Sequence, residues 1–231
     1  MDSACCAVVV AAGSSSRMGA PKQLMELLGV PAIVWTLRAF DRAETVSSLV
    51  LVVREEDRET IGELASRFGI RKPFVFASGG SERQLSVLSG LRAVPRGTRL
   101  AAVHDGARCL VTPGEIDAAV RAAGEACGSA LAVRVKDTIK TASPDGLVLS
   151  TPPRDSLWAV QTPQVFPYER FLLETERAAA EGRLYTDDCQ VWEHAGLPVR
   201  LCEGSYENLK LTTREDVLSA KAILRRRGEQ G

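Results

Sequence analysis

The fold follows from one segment near the amino terminus, Ala7-Val8-Val9-Val10-Ala11-Ala12-Gly13-Ser14-Ser15-Ser16-Arg17-Met18-Gly19-Ala20-Pro21-Lys22. Its first six residues are apolar and rich in valine, which is typical of a strand buried on both faces of a parallel sheet. The glycine- and serine-rich loop therefore lies at the carboxyl edge of that sheet, where open α/β folds bind ligands. Small residues let successive backbone N–H groups turn toward a phosphate, and Arg17 and Lys22 add two cations. The segment predicts an anion-binding loop after the first strand.

This loop does not have the spacing of two common phosphate-binding motifs. No Gly-Lys-Ser/Thr follows at the distance of a Walker A loop, and Ser15 and Arg17 break the dinucleotide fingerprint GxGxxG. Taken alone, the segment also fits a surface loop with two solvated cations. The rest of the chain has to indicate which ligand is bound.

Predicted strands and helices alternate along the chain, a pattern typical of a parallel sheet covered by helices on both faces. The predicted strands are 7–12, 48–53, 73–77, 100–103, 129–135, 199–202 and 208–211. The predicted helices are 33–40, 57–68, 83–93, 113–126, 167–181, 187–195 and a last one that begins with a capping box at Thr212 and Glu215. We expect one doubly wound, mostly parallel α/β domain over residues 1–231.

The pattern changes over residues 136–158, where short polar and β-prone pieces are broken by the turn signal Pro144-Asp145-Gly146. This segment predicts a protruding two-stranded β-arm. Because an isolated ribbon is only marginally stable in water, we expect the arm to pack on a twofold-related copy and form a homodimer.

Composition excludes several classes of protein. The net charge is zero, with 45% hydrophobic and 25% charged residues, so no bulk attraction to nucleic acid or to an anionic membrane is expected. Six scattered cysteines without a CxxC pair argue against a structural metal site and predict reduced thiols in a cytoplasmic protein. The apolar run 7–12 is too short for a membrane span.

Further motifs follow the first loop at intervals along the whole chain. They are Gly79-Gly80-Ser81-Glu82-Arg83 with Ser86 and Val87, His104-Asp105-Gly106-Ala107-Arg108, Lys136-Asp137-Thr138-Ile139-Lys140, Arg154 with Leu157-Trp158, Thr162-Pro163-Gln164, Thr186-Asp187-Asp188, and Glu207-Asn208-Leu209-Lys210-Leu211-Thr212. With Ala11-Ala12-Gly13, Ser16-Arg17-Met18-Gly19 and Pro21-Lys22-Gln23, this ordered set resembles the methylerythritol phosphate cytidylyltransferases, a family of Rossmann-like nucleotidyltransferases.

The resemblance implies a reaction and a role for each matched residue. CMP would pass from CTP to 2-C-methyl-D-erythritol 4-phosphate, with Mg²⁺ held mainly by the nucleotide phosphates and Asp105 as the one protein ligand offered. Catalysis would rest on Arg17, Lys22 and Lys210. The nucleotide would contact Ala11, Ala12, Gly13, Ser14, Gly80, Ser81, Ser86, Asp105 and Gly106. The polyol phosphate would contact Asp105, Arg108, Thr138, Arg154 and Thr162, with Thr138, Arg154 and Thr162 delivered across the homodimer to the partner's nucleotide site.

The chemistry of nucleotidyl transfer fits this set of residues. An acceptor phosphate is already ionised, so the site needs positioning and cationic stabilisation more than a general base. The chain has 23 arginines but only six lysines, and four of these lysines (Lys22, Lys136, Lys140 and Lys210) fall within the motifs. Lysine at these four positions therefore indicates that a compact ammonium group is needed there.

The same residues allow other interpretations. His104-Asp105 is not half of a hydrolase triad, since the chain has two histidines and no GxSxG elbow, so His104 is predicted to be a hydrogen-bonded strand-end residue. Asp187-Asp188 is predicted to begin a helix. The competing functions are a ribitol 5-phosphate cytidylyltransferase, a nucleotidyltransferase acting on molybdopterin, and a catalytically silent nucleotide-binding regulator.

Overall fold

The computed structural model describes residues 5–13 and 22–229. The strands within these ranges are β1 (Cys5–Val10), β2 (Glu26–Leu27), β3 (Val30–Pro31), β4 (Val46–Val53), β5 (Phe74–Ser78), β6 (Leu100–Asp105), β7 (Gly128–Arg134), β8 (Thr141–Ala142), β9 (Val148–Ser150), β10 (Trp158–Pro167) and β11 (Val199–Glu203). The helices are α1 (Ala32–Arg42), α2 (Arg58–Arg67), α3 (Arg83–Arg92), α4 (Pro113–Ala122), α5 (Tyr168–Ala180), α6 (Asp188–His194) and α7 (Arg214–Arg226).

The central sheet has seven strands in the order β11-β7-β10-β6-β1-β4-β5. The pairs β1–β4, β1–β6, β4–β5 and β7–β11 are parallel, whereas β10 runs antiparallel to both of its neighbours, β6 and β7. The predicted mostly parallel α/β sheet is therefore confirmed.

Helices cover both faces of this sheet, and β1 shows why. Alternate side chains of β1 enter two different apolar clusters: Cys5, Ala7 and Val9 lie in one, and Cys6 and Val8 lie in the other. Both clusters are buried because successive side chains of a strand point to opposite faces. The first cluster includes side chains of α1, α2, α4 and α7, and the second those of α3, α5 and α6. The continuous apolar run in the sequence follows from this double burial.

Strand β10 brings the motif Thr162-Pro163-Gln164 into the middle of the sheet. It pairs with β6 from Gln164 opposite Val103 to Pro167 opposite Leu100, and its register against β7 is interrupted between Val160 and Gln164. The Thr162–Pro163 peptide bond is cis. This irregular stretch lies beside the end of β6 and therefore beside Asp105.

The segment predicted to form an arm contains a separate ribbon. Strands β8 and β9 pair only with each other, antiparallel, and their residues are exposed. Three successive apolar residues at and beside β9 face water: Leu147, Val148 and Leu149 are 67%, 60% and 68% exposed. The projection of this ribbon as an arm onto a second copy stays a prediction.

Two local predictions near the carboxyl end are wrong. Residues 208–211 form no strand, because their backbone bonds to the segment after β6: Leu211 N donates to Ala107 O at 2.9 Å, and Asn208 O accepts from Arg108 Nη1 at 2.8 Å. The cap of α7 is Thr213 with Asp216, one residue later than the predicted pair, and Asp216 also accepts hydrogen bonds from Thr212. Two adjacent threonines and two adjacent acidic residues allow the capping box to form at either of two positions, and the hydrogen bonds of Asp216 decide between them.

None of the helices in the described part of the chain is long and apolar enough to cross a membrane.

The packing of α3 on the sheet gives a testable prediction. A Cβ atom at Gly90 would lie 2.4 Å from Val8 Cγ1 and 2.6 Å from Val52 Cγ2, whereas a Cβ atom at Gly114 in α4 would meet nothing within 4 Å. Gly90 lies inside α3 and Gly114 in the first turn of α4, so the helix propensity that an alanine gains at Gly90 only partly offsets the overlap. Gly90→Ala should therefore be less stable than the matched control Gly114→Ala by about 1–3 kcal/mol, measured by urea unfolding. Equal stabilities would contradict the tight packing.

Candidate active site

The candidate site lies where the parallel strands end. In the sheet, β1 lies between β4 and β6. From β1 the chain first adds β4 and β5 on one side and later adds β6 on the other side, so the strand order switches direction between β1 and β6. Open α/β sheets bind ligands in the crevice outside the carboxyl ends of the strands at such a point. The segments after β1, β5 and β6 meet there.

A cleft of about 640 Å³ opens at this edge. Its volume is within the usual range of sites for small molecules and cofactors. It brings together nine of the sequence-predicted residues, namely Ala11, Ala12, Gly13, Lys22, Gly80, Ser81, Ser86, Asp105 and Lys210. A smaller hollow of about 150 Å³ shares Asp105 and Lys210 with the cleft and is also lined by the predicted residues Arg108 and Thr162.

Close backbone approach explains the two glycines after β5. A Cβ atom at Gly79 would lie 2.2 Å from Ala12 Cβ, and one at Gly80 would lie 2.6 Å from Leu85 Cβ. The Ser86 hydroxyl accepts a hydrogen bond from Gly80 N at 2.9 Å and donates to Glu82 O at 3.1 Å. The side chain of Ser86 thus fixes the shape of this loop, and its predicted direct contact with a base stays a prediction.

The turn that carries Lys22 is anchored by its neighbour. Lys22–Leu24 forms one turn of 3₁₀ helix, and the Gln23 side chain is buried. Gln23 Nε2 donates to Asp57 Oδ2 at 3.4 Å, and Asp57 is held in turn by Arg54 through two hydrogen bonds of 2.8 and 2.9 Å. Position 22 is therefore tied to the body of the domain.

Asp105 is the most strongly held charged group of the site. Its Oδ2 accepts a hydrogen bond from Lys210 Nζ at 2.7 Å, and its Oδ1 accepts one from Arg83 Nε at 3.0 Å. Burial by itself would raise the pKa of this carboxyl, but Arg83 and Lys210 together hold the pKa well below its usual range. Asp105 is consequently ionised in spite of its burial.

A chain of hydrogen bonds behind Asp105 fixes the end of β6. Asp105 N donates to Thr162 Oγ1 at 3.1 Å, and Thr162 Oγ1 lies 3.0 Å from His104 Nδ1. His104 Nε2 lies 3.1 Å from Arg108 O, a carbonyl that only accepts, so we assign the ring proton to Nε2 and the role of acceptor to Nδ1. Burial lowers the pKa of His104 to about 4, which keeps the ring neutral at neutral pH. His104 is thus the hydrogen-bonded strand-end residue that the sequence predicts.

The segment that carries Lys210 is fastened by Asn208, which is fully buried. Asn208 Nδ2 donates to Thr162 O at 3.0 Å and to Gln161 Oε1 at 3.1 Å, and Asn208 O accepts a hydrogen bond from Arg108 Nη1 at 2.8 Å. These contacts join the Lys210 segment to β10 and to the loop after β6. They explain why the Glu207-to-Thr212 motif is needed beside the Thr162 motif.

Arg83 and Asp188 are site residues that the sequence reasoning did not assign. The Arg83 guanidinium contacts Asp105 through Nε and Asp188 through Nη1 and Nη2, at 3.1 and 2.7 Å. Asp187 caps α6 as predicted, accepting from Gln190 N, while the next residue, Asp188, turns into the interior. The sequence did contain a signal for these two residues, since Arg83 lies in the motif 79–83 and Asp188 in the motif 186–188.

Three predicted residues line neither the cleft nor the hollow, and two more lie outside the described residues. Arg154 borders a separate cavity together with Lys136, and its Nη1 donates to Lys136 O at 3.1 Å. Thr138, two residues after Lys136, is exposed. Gly106 packs against Ala11 behind the cleft wall. Ser14 and Arg17 fall within 14–21, which the structure does not describe.

The described side chains of the site offer few ligands for Mg²⁺. Among the described residues, no group of three His, Cys, Asp or Glu side chains is placed to hold a metal ion. Both carboxylate oxygens of Asp105 already accept hydrogen bonds from cations. The site therefore fits a Mg²⁺ that is carried by nucleotide phosphates, with at most one protein ligand.

Comparison with known proteins agrees with this geometry. The sequence model of the family IspD, 2-C-methyl-D-erythritol 4-phosphate cytidylyltransferase, matches residues 5–226. The protein of that name from Geobacillus thermodenitrificans is 47% identical over 221 residues, covering 94% of this chain and 96% of its own. Its counterpart from Desulforamulus reducens is 43% identical over 224 residues, with 96% of each chain covered.

Solved structures share the fold over almost the whole chain. The 4-diphosphocytidyl-2C-methyl-D-erythritol synthase from Anaerococcus prevotii superposes with a TM-score of 0.86 at 28% identity, covering 96% of this chain and 99% of its own. The 2-C-methyl-D-erythritol 4-phosphate cytidylyltransferase from Thermus thermophilus gives a TM-score of 0.75 at 27% identity, covering 94% and 98%. This chain belongs to the IspD family of 2-C-methyl-D-erythritol 4-phosphate cytidylyltransferases.

Proposed function

We propose that the protein transfers CMP from CTP to the phosphate of 2-C-methyl-D-erythritol 4-phosphate and releases pyrophosphate, as a step of isoprenoid precursor synthesis. The observation that carries the proposal is the cleft at the switch point of the sheet, where Lys22, Lys210 and Asp105 meet the glycine-rich turn after β5. Family membership over residues 5–226 supports the same reaction.

The walls of the cleft suit a pyrimidine nucleotide. The segments 11–13 and 80–81 line it with small residues, which leave room for a flat base to lie close to the backbone. The cations Lys22 and Lys210 border the same space and suit the triphosphate. Arg17 is proposed to join them from the preceding loop.

The reaction requires little beyond positioning and charge stabilisation. An acceptor phosphate oxygen attacks the α-phosphorus of CTP, the bond from this phosphorus to the oxygen that bridges to the β-phosphate breaks, and the electron pair leaves with pyrophosphate. No base is needed, since the attacking phosphate is already ionised. Cations aimed at the developing charge lower the barrier most. Lys210 and Lys22 are proposed for this role.

Lys210 must change partner to act on the nucleotide. Its Nζ atom contacts Asp105 in the structure, and its side chain is 43% exposed, the most exposed member of its ion-pair cluster. A nucleotide phosphate offers a second anion in the same cleft. We propose that Lys210 turns from Asp105 toward the α-phosphate when CTP binds.

The acceptor is proposed to lie in the 150 Å³ hollow beside the cleft. Arg108 and Thr162 line this hollow, and Arg108 Nε is buried there without a hydrogen-bond partner, so an anionic or hydroxylated ligand would satisfy it. Mg²⁺ bound to the triphosphate would offset part of the negative charge that the two substrates bring together.

Other functions have less support. The curated relatives compared above are described as acting on methylerythritol phosphate, which does not favour ribitol 5-phosphate as acceptor. A silent regulator is not favoured either, since Lys22 and Lys210 both border the cleft. We further propose a cytoplasmic location, which agrees with six free cysteines.

The reaction can be tested by crossing substrates. With Mg²⁺, CTP and 2-C-methyl-D-erythritol 4-phosphate, the protein should release pyrophosphate and form the CDP-linked polyol, detected by a coupled pyrophosphate assay and mass spectrometry. ATP, GTP and UTP should give much slower release, as should ribitol 5-phosphate. Equal turnover of ribitol 5-phosphate would favour the alternative acceptor, and activity with GTP but not CTP would exclude the assignment.

The roles of the two lysines make a second prediction. Lys22→Ala and Lys210→Ala should each lower kcat by roughly 10²–10³ while weakening CTP binding far less, because the interaction strengthens as charge develops. Lys221→Ala, a lysine of α7 that does not line the cleft, is the matched control and should keep the wild-type rate. A higher KM with an unchanged kcat would assign uniform binding to that lysine instead.

The third prediction concerns a site shared between two chains. Thr138 and Arg154 lie away from the cleft of their own chain, and the exposed apolar residues Leu147, Val148 and Leu149 need a cover. We propose that the arm pairs with a twofold-related copy and delivers Thr138 and Arg154 to the partner's nucleotide site. The predicted delivery of Thr162 to the partner is wrong, because Thr162 is buried and accepts a hydrogen bond from Asp105 N of its own chain.

Complementation tests the shared site. Arg154→Ala and Lys22→Ala homodimers should both be nearly inactive, and mixing and re-pairing them should restore one working site in each heterodimer. Mixing Lys22→Ala with Lys210→Ala is the matched control and should restore nothing, since each site then lacks one lysine. Inactive Arg154→Ala/Lys22→Ala heterodimers, or a fully active monomer in sedimentation, would contradict the proposal.

A further inference from the structure

Four charged side chains form one continuous chain at the floor of the cleft. Lys210 contacts Asp105, Asp105 contacts Arg83, and Arg83 contacts Asp188. The two ends of this chain differ most in exposure: the Lys210 side chain is 43% exposed and the Asp188 side chain 4%, with Asp105 at 12% and Arg83 at 29% between them. One end is therefore open to a ligand, and the other end is fixed in the interior.

The position of Arg83 in its helix is locally unfavourable. It is the first residue of α3, where the partial positive charge of the helix terminus repels a cation, and Glu82 before it provides no side-chain cap. The guanidinium is compensated only by tertiary contacts, with Nε on Asp105 and the Nη1/Nη2 fork on Asp188. A residue whose charge is unfavourable at its place in a helix, and is compensated by residues distant in the sequence, is expected at a functional site.

We propose that Arg83 is a positioning residue that holds the Asp105 carboxylate in place when Lys210 leaves it for a nucleotide phosphate. This inference rests on the proposed function. It assigns to Arg83 a task that Lys210 cannot perform, since Arg83 contacts both Asp105, the partner of the moving Lys210, and Asp188 at the fixed end of the ion-pair chain.

The physical reason is the charge left behind when Lys210 moves. Asp105 is buried, and an ionised carboxylate without a partner is costly away from water. If Lys210 were its only cation, Asp105 would hold Lys210 back and oppose its transfer to the phosphate. With Arg83 on the other carboxylate oxygen, Asp105 keeps a partner and its position while Lys210 is exchanged.

The remaining groups around the carboxylate do not supply this partner. His104 is neutral, and the Arg108 guanidinium donates to the carbonyl of Asn208. Asp187 carries the same sign as Asp105. Ion pairs join Asp105 to Arg83 through one carboxylate oxygen and to Lys210 through the other.

The experiment separates a positioning role from a purely structural one with three variants and a control. Arg83→Gln removes the cation, Arg83→Lys keeps the charge but lacks the fork that spans two carboxylates, and Arg83→Gln/Asp188→Asn removes the cation together with its interior anion. The control is Arg92→Gln on the same helix, which breaks only the exposed pair with Glu176. Melting temperature, CTP affinity by calorimetry, kcat and KM are measured for each.

Arg83→Gln should lower kcat on the order of 10- to 100-fold, as expected for misplacement of a reacting group, with the Kd of CTP changed less than about threefold. Its melting temperature should fall, because Asp188 is left buried without a cation. The double variant should regain the melting temperature but not kcat, since Asp105 then has Lys210 as its one cation and holds it back. Arg83→Lys should lie between wild type and Arg83→Gln in kcat, and Arg92→Gln should match wild type.

Recovery of kcat together with stability in the double variant would overturn the inference, because Arg83 would then act only in folding. A wild-type kcat in Arg83→Gln would also overturn it. If Arg83→Gln does not fold, Arg83→Lys decides in its place: a kcat equal to that of wild type contradicts the role, and a lower kcat at unchanged CTP affinity supports it. Failure of the wild-type protein to use CTP would instead refute the proposed function.

Discussion

The buried carboxylate of Asp105 is the group around which the site is arranged. A charge removed from water must be paired and hydrogen bonded, and Asp105 meets this requirement with partners from three other parts of the chain. Arg83 comes from the start of α3, Lys210 from the segment before α7, and Thr162 from β10. Because each partner must reach the same carboxylate or its backbone, the ends of these elements are fixed relative to one another.

The antiparallel strand β10 makes this convergence possible. It runs between β6 and β7 and places its irregular stretch beside the end of β6, where Thr162 joins Asp105 to the neutral ring of His104. Asn208 then ties the Lys210 segment to the same stretch. Hydrogen-bonded supports of this kind hold cations in one place, which is the main requirement of the proposed reaction, since that reaction depends on charge stabilisation.

The site also combines a part anchored in the interior with a part that is more exposed. The Gln23–Asp57–Arg54 contacts and the Arg83–Asp188 pair are anchored in buried residues, whereas Lys210 is held at one point and is nearly half exposed. A cation that pairs with a protein carboxylate before substrate binds is stabilised in the empty site. It can then change partner without leaving a bare charge, provided that the carboxylate has a second cation.

Local patterns in the sequence were enough to predict the helices, the parallel strands and the family, but not the antiparallel strand β10. Valine-rich buried runs, the glycine-serine loop and the ordered motifs predicted the doubly wound sheet and most of the residues of the cleft, because backbone periodicity and short-range spacing are local properties. The contacts that join these pieces became visible only in the folded chain. The sequence patterns predicted a strand at 208–211, gave Arg83 no role and gave Asp188 only the start of a helix. The partners of these residues lie far away in the chain, and only the folded structure buries Asp105 and Asp188 where Arg83 and Lys210 must compensate their charges.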